Sequence, residues 1–225
     1  KNFLMISKKL LKIDDLKLNK NICVIGSSKI LLKQKNGNLI NKFNDVVRFN
    51  RSKVEGYKMF VGNKTTLRIL NNHVFMNIKI WKQSYKEQFF AKNLKKNRIL
   101  IISPSKIEKD TFKKNMTNHN KYYFLSSKQI LIQSLIYFKF DLKIFIKILK
   151  IFLSRLTFSV GLTFVMYLIM LNFRPTLFGF DLKENMKNRS HYFEKAGKPG
   201  KRHNLELEHK ILKELQRRNL LYINH

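Results

Sequence analysis

The side chains best suited to moving a proton or holding an anion fall in three short stretches. Near the carboxyl end stand His191-Tyr192-Phe193-Glu194 and, beyond them, His203 followed five residues later by Glu208. An imidazole with a pKa near neutrality suits proton transfer at a hydroxyl. A metal centre on these histidines is not expected, because His203 and His209 are six apart and face differently on a helix. A second stretch, Phe158-Ser159-Val160-Gly161, precedes an apolar run. Ser159 is suited to cap a helix there, and the unpaired N–H groups of such a first turn bind phosphate. The third stretch is Gly26-Ser27-Ser28, directly after the apolar run that begins at Asn21. Glycine at a strand end lets the backbone approach a ligand, and serine hydroxyls both donate and accept. Each stretch has a plain structural alternative as a cap, a turn or a solvated histidine. The dinucleotide pattern G-x-G-x-x-G and the G-K-[S/T] ending of a phosphate loop are both missing.

These residues need elements to hold them. Asn21–Gly26, Asp45–Asn50, Thr65–Leu70, Arg98–Ser103, Tyr122–Leu125 and Thr176–Phe180 read as strands. Helical patterns lie between and after them: Tyr85–Lys95, Lys106–Asn115, Ser126–Arg155 with a break, Leu162–Phe173 and Asn204–Arg218. Glu206 and Glu208 sit in the first turn of the last, where the helix dipole favours anions. Strands alternating with helices predict a single α/β domain with a mainly parallel sheet flanked by helices, after a lead-in segment over 1–20. Ligands of such sheets bind beyond the carboxyl ends of the strands, where Gly26-Ser27-Ser28 and Arg48-Phe49-Asn50 fall.

Composition sets the bounds. With 225 residues and 44% apolar side chains the chain can bury a substantial core. There are 46 Lys and Arg against 14 Asp and Glu, a formal charge of +32. That excess attracts polyanions, whether nucleic acid, anionic lipid or phosphorylated substrate. Frequent Lys, Asn and Ile also fit an AT-rich coding sequence with much of the charge simply solvated. The single Cys23 forbids an intrachain disulfide and points to a reducing, cytoplasmic setting. The longest apolar run, Val160–Phe173, has about 14 residues, too short to span a bilayer and suited to a buried helix.

The stretch from Cys23 to Thr66 resembles the large sialylmotif of the eukaryotic-type sialyltransferases, glycosyltransferase family 29. That motif runs C-x-V-V-G-N-S-G, D-x-V-x-R-x-N-x-A-P and G-x-x-x-D-V-G-x-K-T-T. Cys23, Gly26, Ser28, Asp45, Val47, Arg48, Asn50, Gly56, Val61, Gly62, Lys64, Thr65 and Thr66 match it in order. Ser27 stands where the family has Asn, Lys29 where it has Gly, and Phe60 where it has Asp. Phe158–Phe180 is similar to the small sialylmotif, with Gly161 and Gly179 at the family's separation and Asn172 in place of its Cys. The inter-motif disulfide of secretory-pathway members is therefore lacking, as for a bacterial or viral member. His191-Tyr192 and His203-x4-Glu208 resemble the third and very small motifs.

The resemblance implies a GT-A-like, Rossmann-type domain, a CMP-activated donor and inversion at the anomeric carbon. By it, His203 is the base, Glu208 holds it through the helix start, and His191 and Tyr192 contact the CMP phosphate. Gly26, Ser27, Ser28 and Asn50 hold one side of the donor, and Ser159, Val160 and Gly161 the other. The donor would be CMP-sialic acid, with CMP-Kdo the alternative, and the acceptor a glycan or glycolipid hydroxyl. No D-x-D occurs in the sequence, so neither a metal nor another cofactor is expected. Between Ser134 and Arg155, lysines interleave with Phe, Ile and Leu, as in a segment lying on an anionic membrane surface or in an amphipathic helix packed on the sheet. Attachment at a membrane's inner face would follow from the first. A reading of another class is a basic binding protein for membrane or nucleic acid on a degenerate transferase fold. Retention of His191 and His203 argues against that, and nucleic acid is not the expected partner.

Overall fold

The computed structural model describes residues 16–71, 98–103, 122–181, 191–193 and 204–224. In chain order it runs β1 (Ile22–Ile25), a 3-10 turn (Lys29–Lys33), α1 (Gly37–Asn41), β2 (Asp45–Phe49), α2 (Lys58–Val61), β3 (Leu67–Asn71), β4 (Arg98–Ile102) and β5 (Tyr122–Leu125). Then follow α3 (Ser127–Tyr137), α4 (Leu142–Leu153), α5 (Val160–Met170), β6 (Thr176–Phe178), α6 (Leu205–Arg217) and β7 (Tyr222–Asn224). The helices expected over Tyr85–Lys95 and Lys106–Asn115 lie outside the described residues.

The described strands form one sheet in the order β5-β4-β3-β2-β1-β6-β7, and every pairing is parallel. The expected mainly parallel sheet is thus parallel throughout. From β1 the chain works outward to β5, then returns to the other side of β1 for β6 and β7. The order therefore reverses between β1 and β6, and the carboxyl ends of those strands flank the crevice where open α/β sheets bind ligands.

Two apolar layers hold the sheet. On one face, Val24, Val47, Leu67, Ile69 and Leu100 pack against α3, α4, α5 and α6. All nine residues from Leu162 to Met170 are buried, as expected for a helix apolar on every side. On the other face, Cys23, Ile25, Val46 and Phe178 meet Leu31, Ile40, Val61 and Tyr192. Leu16 also lies in the first layer, and Arg98 donates to the carbonyls of Leu16 and Lys17.

Local chemistry sets the boundaries. The long helical pattern over Ser126–Arg155 breaks because Asp141 caps α4, accepting from the Ile144 N–H at 3.4 Å. Ser159 caps α5 through the Leu162 N–H at 3.3 Å, so that helix begins at Val160, two residues earlier than its apolar pattern suggests. Thr65 and Thr66 stand just before β3, where Thr65 Oγ1 accepts from Arg48 Nε and Thr66 Oγ1 donates to Asp45 at 2.7 Å. The short strand β7, absent from the sequence reading, pairs with β6 through Leu177 and Ile223.

Candidate active site

At the crevice, Gly26 ends β1 and Gly179 follows β6. The Gly26 N–H donates to the Phe178 carbonyl at 2.7 Å, and the Ser28 N–H donates to that of Gly179 at 3.2 Å. A Cβ on Gly26 would stand 2.4 Å from the Gly179 oxygen, and Gly179 itself has φ +72°. Both positions therefore demand glycine. The ring of Phe180 lies beside Gly26 and also beside Gly161, where a Cβ would be 3.4 Å from Cε1. Phe180 thus joins the first turn of α5 to the end of β1.

Two segments far apart in sequence meet here. His191 forms an antiparallel bridge with Ser28, and the Tyr192 N–H donates to the Ser27 carbonyl at 2.9 Å. Tyr192 is buried, packs edge-on against Tyr57 at 5.1 Å, and donates its hydroxyl to the Lys53 carbonyl. These contacts anchor the segment. The exposed imidazole of His191 stacks on Phe193 at 5.3 Å, beside the glycine turn. Ser28 is buried and its Oγ caps the 3-10 turn, accepting from the Ile30 N–H at 3.2 Å.

Across the crevice, Glu208 is buried and reaches from α6 to the start of α5. Its Oε1 accepts the Ser159 N–H at 2.7 Å, and its Oε2 accepts the Ser159 hydroxyl at 2.5 Å. In a capping box the third helical residue supplies that carboxylate. Here Leu162 occupies the position, and Glu208 supplies the carboxylate from another helix. Ser159 is thereby fixed, and the N–H groups of Val160 and Gly161 belong to the first turn behind it. Asn204 caps α6 through the Leu207 N–H at 3.0 Å. His203, expected as the base, lies outside the described residues.

Asn50 takes φ +44°, and its Oδ1 accepts the Asn71 N–H at 2.9 Å. With that oxygen tied to β3, the Nδ2 donors are the part of the amide suited to an anionic ligand. Beneath it lie two buried arginines that are register partners on β2 and β3, Arg48 and Arg68. Arg48 donates to the carbonyls of Val61, Gly62 and Lys64, and Arg68 to those of Asn50 and Ser52. Burial pulls the Arg48 pKa below its ordinary value, partly opposed by Tyr192 and Cys23. Sequence reasoning took Arg48 as a motif match and missed Arg68. The signal that could have found both is a basic residue inside a strand of a parallel sheet, where both faces are covered.

Comparison with known proteins fits this arrangement. The family model described as glycosyltransferase family 29 (sialyltransferase) matches residues 3–220. Lactosylceramide alpha-2,3-sialyltransferase of Bos taurus is 48% identical over 50 residues, 22% of this chain and 12% of that protein. Beta-galactoside alpha-2,6-sialyltransferase 2 of Takifugu rubripes is 40% identical over 58 residues, 26% of this chain and 11% of its own length. The matched stretches therefore span about an eighth of these curated relatives. The crystal structure of a mammalian sialyltransferase superposes with TM-score 0.62 at 16% identity, covering 99% of this chain and 78% of that one. The same likeness holds for a mammalian sialyltransferase in complex with Gal-beta-1-3GalNAc-ortho-nitrophenol, at TM-score 0.61 and 17% identity, again covering 99% and 78%. The chain belongs to glycosyltransferase family 29, the sialyltransferase family.

Proposed function

We propose that this chain is an inverting glycosyltransferase that moves sialic acid from CMP-sialic acid onto a glycan or glycolipid hydroxyl. The observation that carries the reading is the meeting of Gly26-Ser27-Ser28, His191 and the Ser159–Gly161 helix start at the point where the strand order reverses. An anionic nucleotide fits such a place, since helix N–H groups and a glycine turn present donors without a competing side chain.

In the proposed step the acceptor oxygen attacks the anomeric carbon from the face opposite CMP. The new C–O bond forms as the bond to the phosphate oxygen breaks, and CMP leaves with the electron pair. The acceptor proton passes to His203, by the motif match the general base. CMP is already a weakly basic anion, so its departure needs charge stabilisation more than protonation. His191 and the first turn of α5 supply that stabilisation. Tyr192 and Glu208 act one step back, the first by anchoring His191 and the second by fixing Ser159.

We propose further that no divalent ion takes part. The sequence has no D-x-D, and among the described residues no three His, Cys, Asp or Glu side chains come together as a metal site. Excess chelator should leave turnover unchanged, and activity lost to chelator but restored by Mg or Mn would overturn this. The test of the main reading is a calorimetric CMP titration, followed by turnover with CMP-sialic acid and CMP-Kdo side by side. His191→Ala should weaken CMP binding about tenfold or more, the worth of one charge-assisted contact of about 1.5–3 kcal/mol. Absence of CMP binding by the intact chain would refute the reading.

A further inference from the structure

The outer face of α4 carries a second apolar stripe that the core does not use. Ile144, Ile148 and Ile151 face inward. On the opposite side of the same helix, Leu142, Ile146 and Leu153 follow one another at helical spacing and are 66%, 42% and 69% exposed. The turn before the helix exposes 91% of Phe140, with the Lys139 ammonium 4.7 Å from the centre of its ring. Exposed Lys143 and Lys150 border the stripe. The acid of this segment, Asp141, is already paired with Arg218 at 3.1 Å. An exposed apolar row of this kind marks an interaction surface. A cationic border with its acid neutralised is complementary to anionic headgroups, with apolar side chains entering the acyl boundary and lysines staying at headgroup level.

The same helix leads to the active site. A cleft of about 420 Å³ opens between the end of α4 and the start of α6, lined by Lys150, Leu153, Ser154, Asn204, Glu206 and Lys210 among others. Leu153 belongs both to the outer stripe and to this cleft. One helical turn beyond Asn204, Glu208 holds Ser159. We propose that the outer face of α4, with Phe140, docks on an anionic lipid bilayer, and that the cleft beside Leu153 receives the glycan head of a lipid-anchored acceptor. The second half rests on the sialyl-transfer reading, whereas the docking does not.

The experiment is co-sedimentation of the intact chain with vesicles of phosphatidylcholine alone and of phosphatidylcholine mixed with phosphatidylglycerol, without donor or acceptor. Binding should be strong only to the mixed vesicles. A Leu142→Ser, Ile146→Ser, Leu153→Ser triple variant keeps the net charge and should lose about tenfold or more of that binding. Phe140→Ser, in the turn outside the helix, gives the same sign with the helix untouched. Lys143→Glu with Lys150→Glu should lose much more than Lys33→Glu with Lys35→Glu, an equal charge change elsewhere. Unchanged binding of the serine variants, equal losses in the two lysine pairs, or a dimer that the triple variant dissolves would overturn the docking. For the cleft, transfer from CMP-sialic acid to lactosylceramide in vesicles is compared with transfer to free lactose. The Leu142→Ser, Ile146→Ser pair, which leaves the cleft residue Leu153 in place, should slow the first and spare the second. Equal slowing of both overturns the cleft assignment. Transfer to neither by the parent chain refutes the transferase reading and with it the cleft, while the vesicle result stands by itself.

Discussion

Glu208 offers the sharpest perturbation, because one carboxylate joins the starts of two helices. Both its oxygens accept from Ser159, at 2.7 and 2.5 Å, while Ser159 Oγ accepts from Leu162. A hydrogen bond to a charged group contributes about 1.5–3 kcal/mol, against about 1 for a neutral one. Glu208→Gln keeps the shape but turns an amide N–H toward the Ser159 hydroxyl, which must then accept instead of donate. The loss should be about 1–3 kcal/mol. Glu208→Ala removes both acceptors from the part-buried N–H and hydroxyl of Ser159, so about 2–4 kcal/mol should go. Urea unfolding reads this as a lower midpoint with an unchanged slope. A double-mutant cycle with Ser159→Ala should return a coupling of about 1–2 kcal/mol. CMP affinity should fall in the alanine variant and largely recover in the glutamine one, as expected of a positioning residue. A loss below about 1 kcal/mol in Glu208→Ala, or strict additivity with Ser159→Ala, would refute the shared cap.

Three other outcomes follow from single residues. Gly26→Ala should fail to fold or lose more than about 3 kcal/mol, because its Cβ meets the main-chain oxygen of Gly179, whereas Gly161→Ala should fold within about 1 kcal/mol of the parent; far-ultraviolet circular dichroism with thermal melts checks both. The Cys23 thiol is buried and its pKa pushed up to about 12, so thiol reagents at pH 8 should react only in denaturant. A pKa raised in the folded state means that the folded chain holds the proton more tightly, so this contribution to stability is intact below about pH 8.5 and is lost as pH climbs towards 12. Alkaline urea melts of the parent against Cys23→Ala should show that difference. At the opposite end of the sheet, Asp45 pairs with Arg98 and accepts from Thr66 and from the Asn19 N–H. Asp45→Asn should cost about 1–3 kcal/mol in urea melts, leaving the partly exposed Arg98 cation without its carboxylate, with CMP affinity unchanged in the folded fraction.

The strand positions were legible because each is a short apolar run closed by a turn signal, and six of the seven described strands carry one. Strand β7 was not, because three residues give no periodicity and its pairing with β6 is a tertiary fact. The bridge from His191 to Ser28 links segments that only the family resemblance had associated. The bond from Glu208 to Ser159 was not foreseen: the sequence reading gives Glu208 a local part, holding His203 through the helix start, whereas this contact is with a cap 49 residues earlier. Arg48 and Arg68 were hidden by alternation. In Asp45–Phe49 and Leu67–Asn71, a charge between apolar neighbours reads as the solvent side of a strand. That side is instead closed by α1, α2 and the loops around them, whose carbonyls take the guanidinium protons.

Arg48 bears on why an anion belongs at this end of the sheet. A guanidinium stays protonated in proteins, so burial leaves Arg48 with its charge, and the carbonyls of Val61, Gly62 and Lys64 with the Thr65 hydroxyl, all neutral, receive its N–H groups. Carbonyl oxygens satisfy the hydrogen bonds without cancelling the net positive charge. The field is therefore built in before any ligand arrives, and a phosphate entering beside Asn50 need not reorganise it. The same bonds fix the loop over 61–65, so charge and geometry cannot be changed separately by deletion. Arg48→Lys separates them in part. It keeps the charge while a single ammonium cannot reproduce a fork that reaches Thr65 and three carbonyls. The expected result is a lower urea midpoint by about 2–4 kcal/mol, with CMP affinity in the folded fraction reduced less than in Arg48→Met of similar stability. Equal affinities in the two variants would remove the electrostatic role and leave Arg48 as a tie between loops.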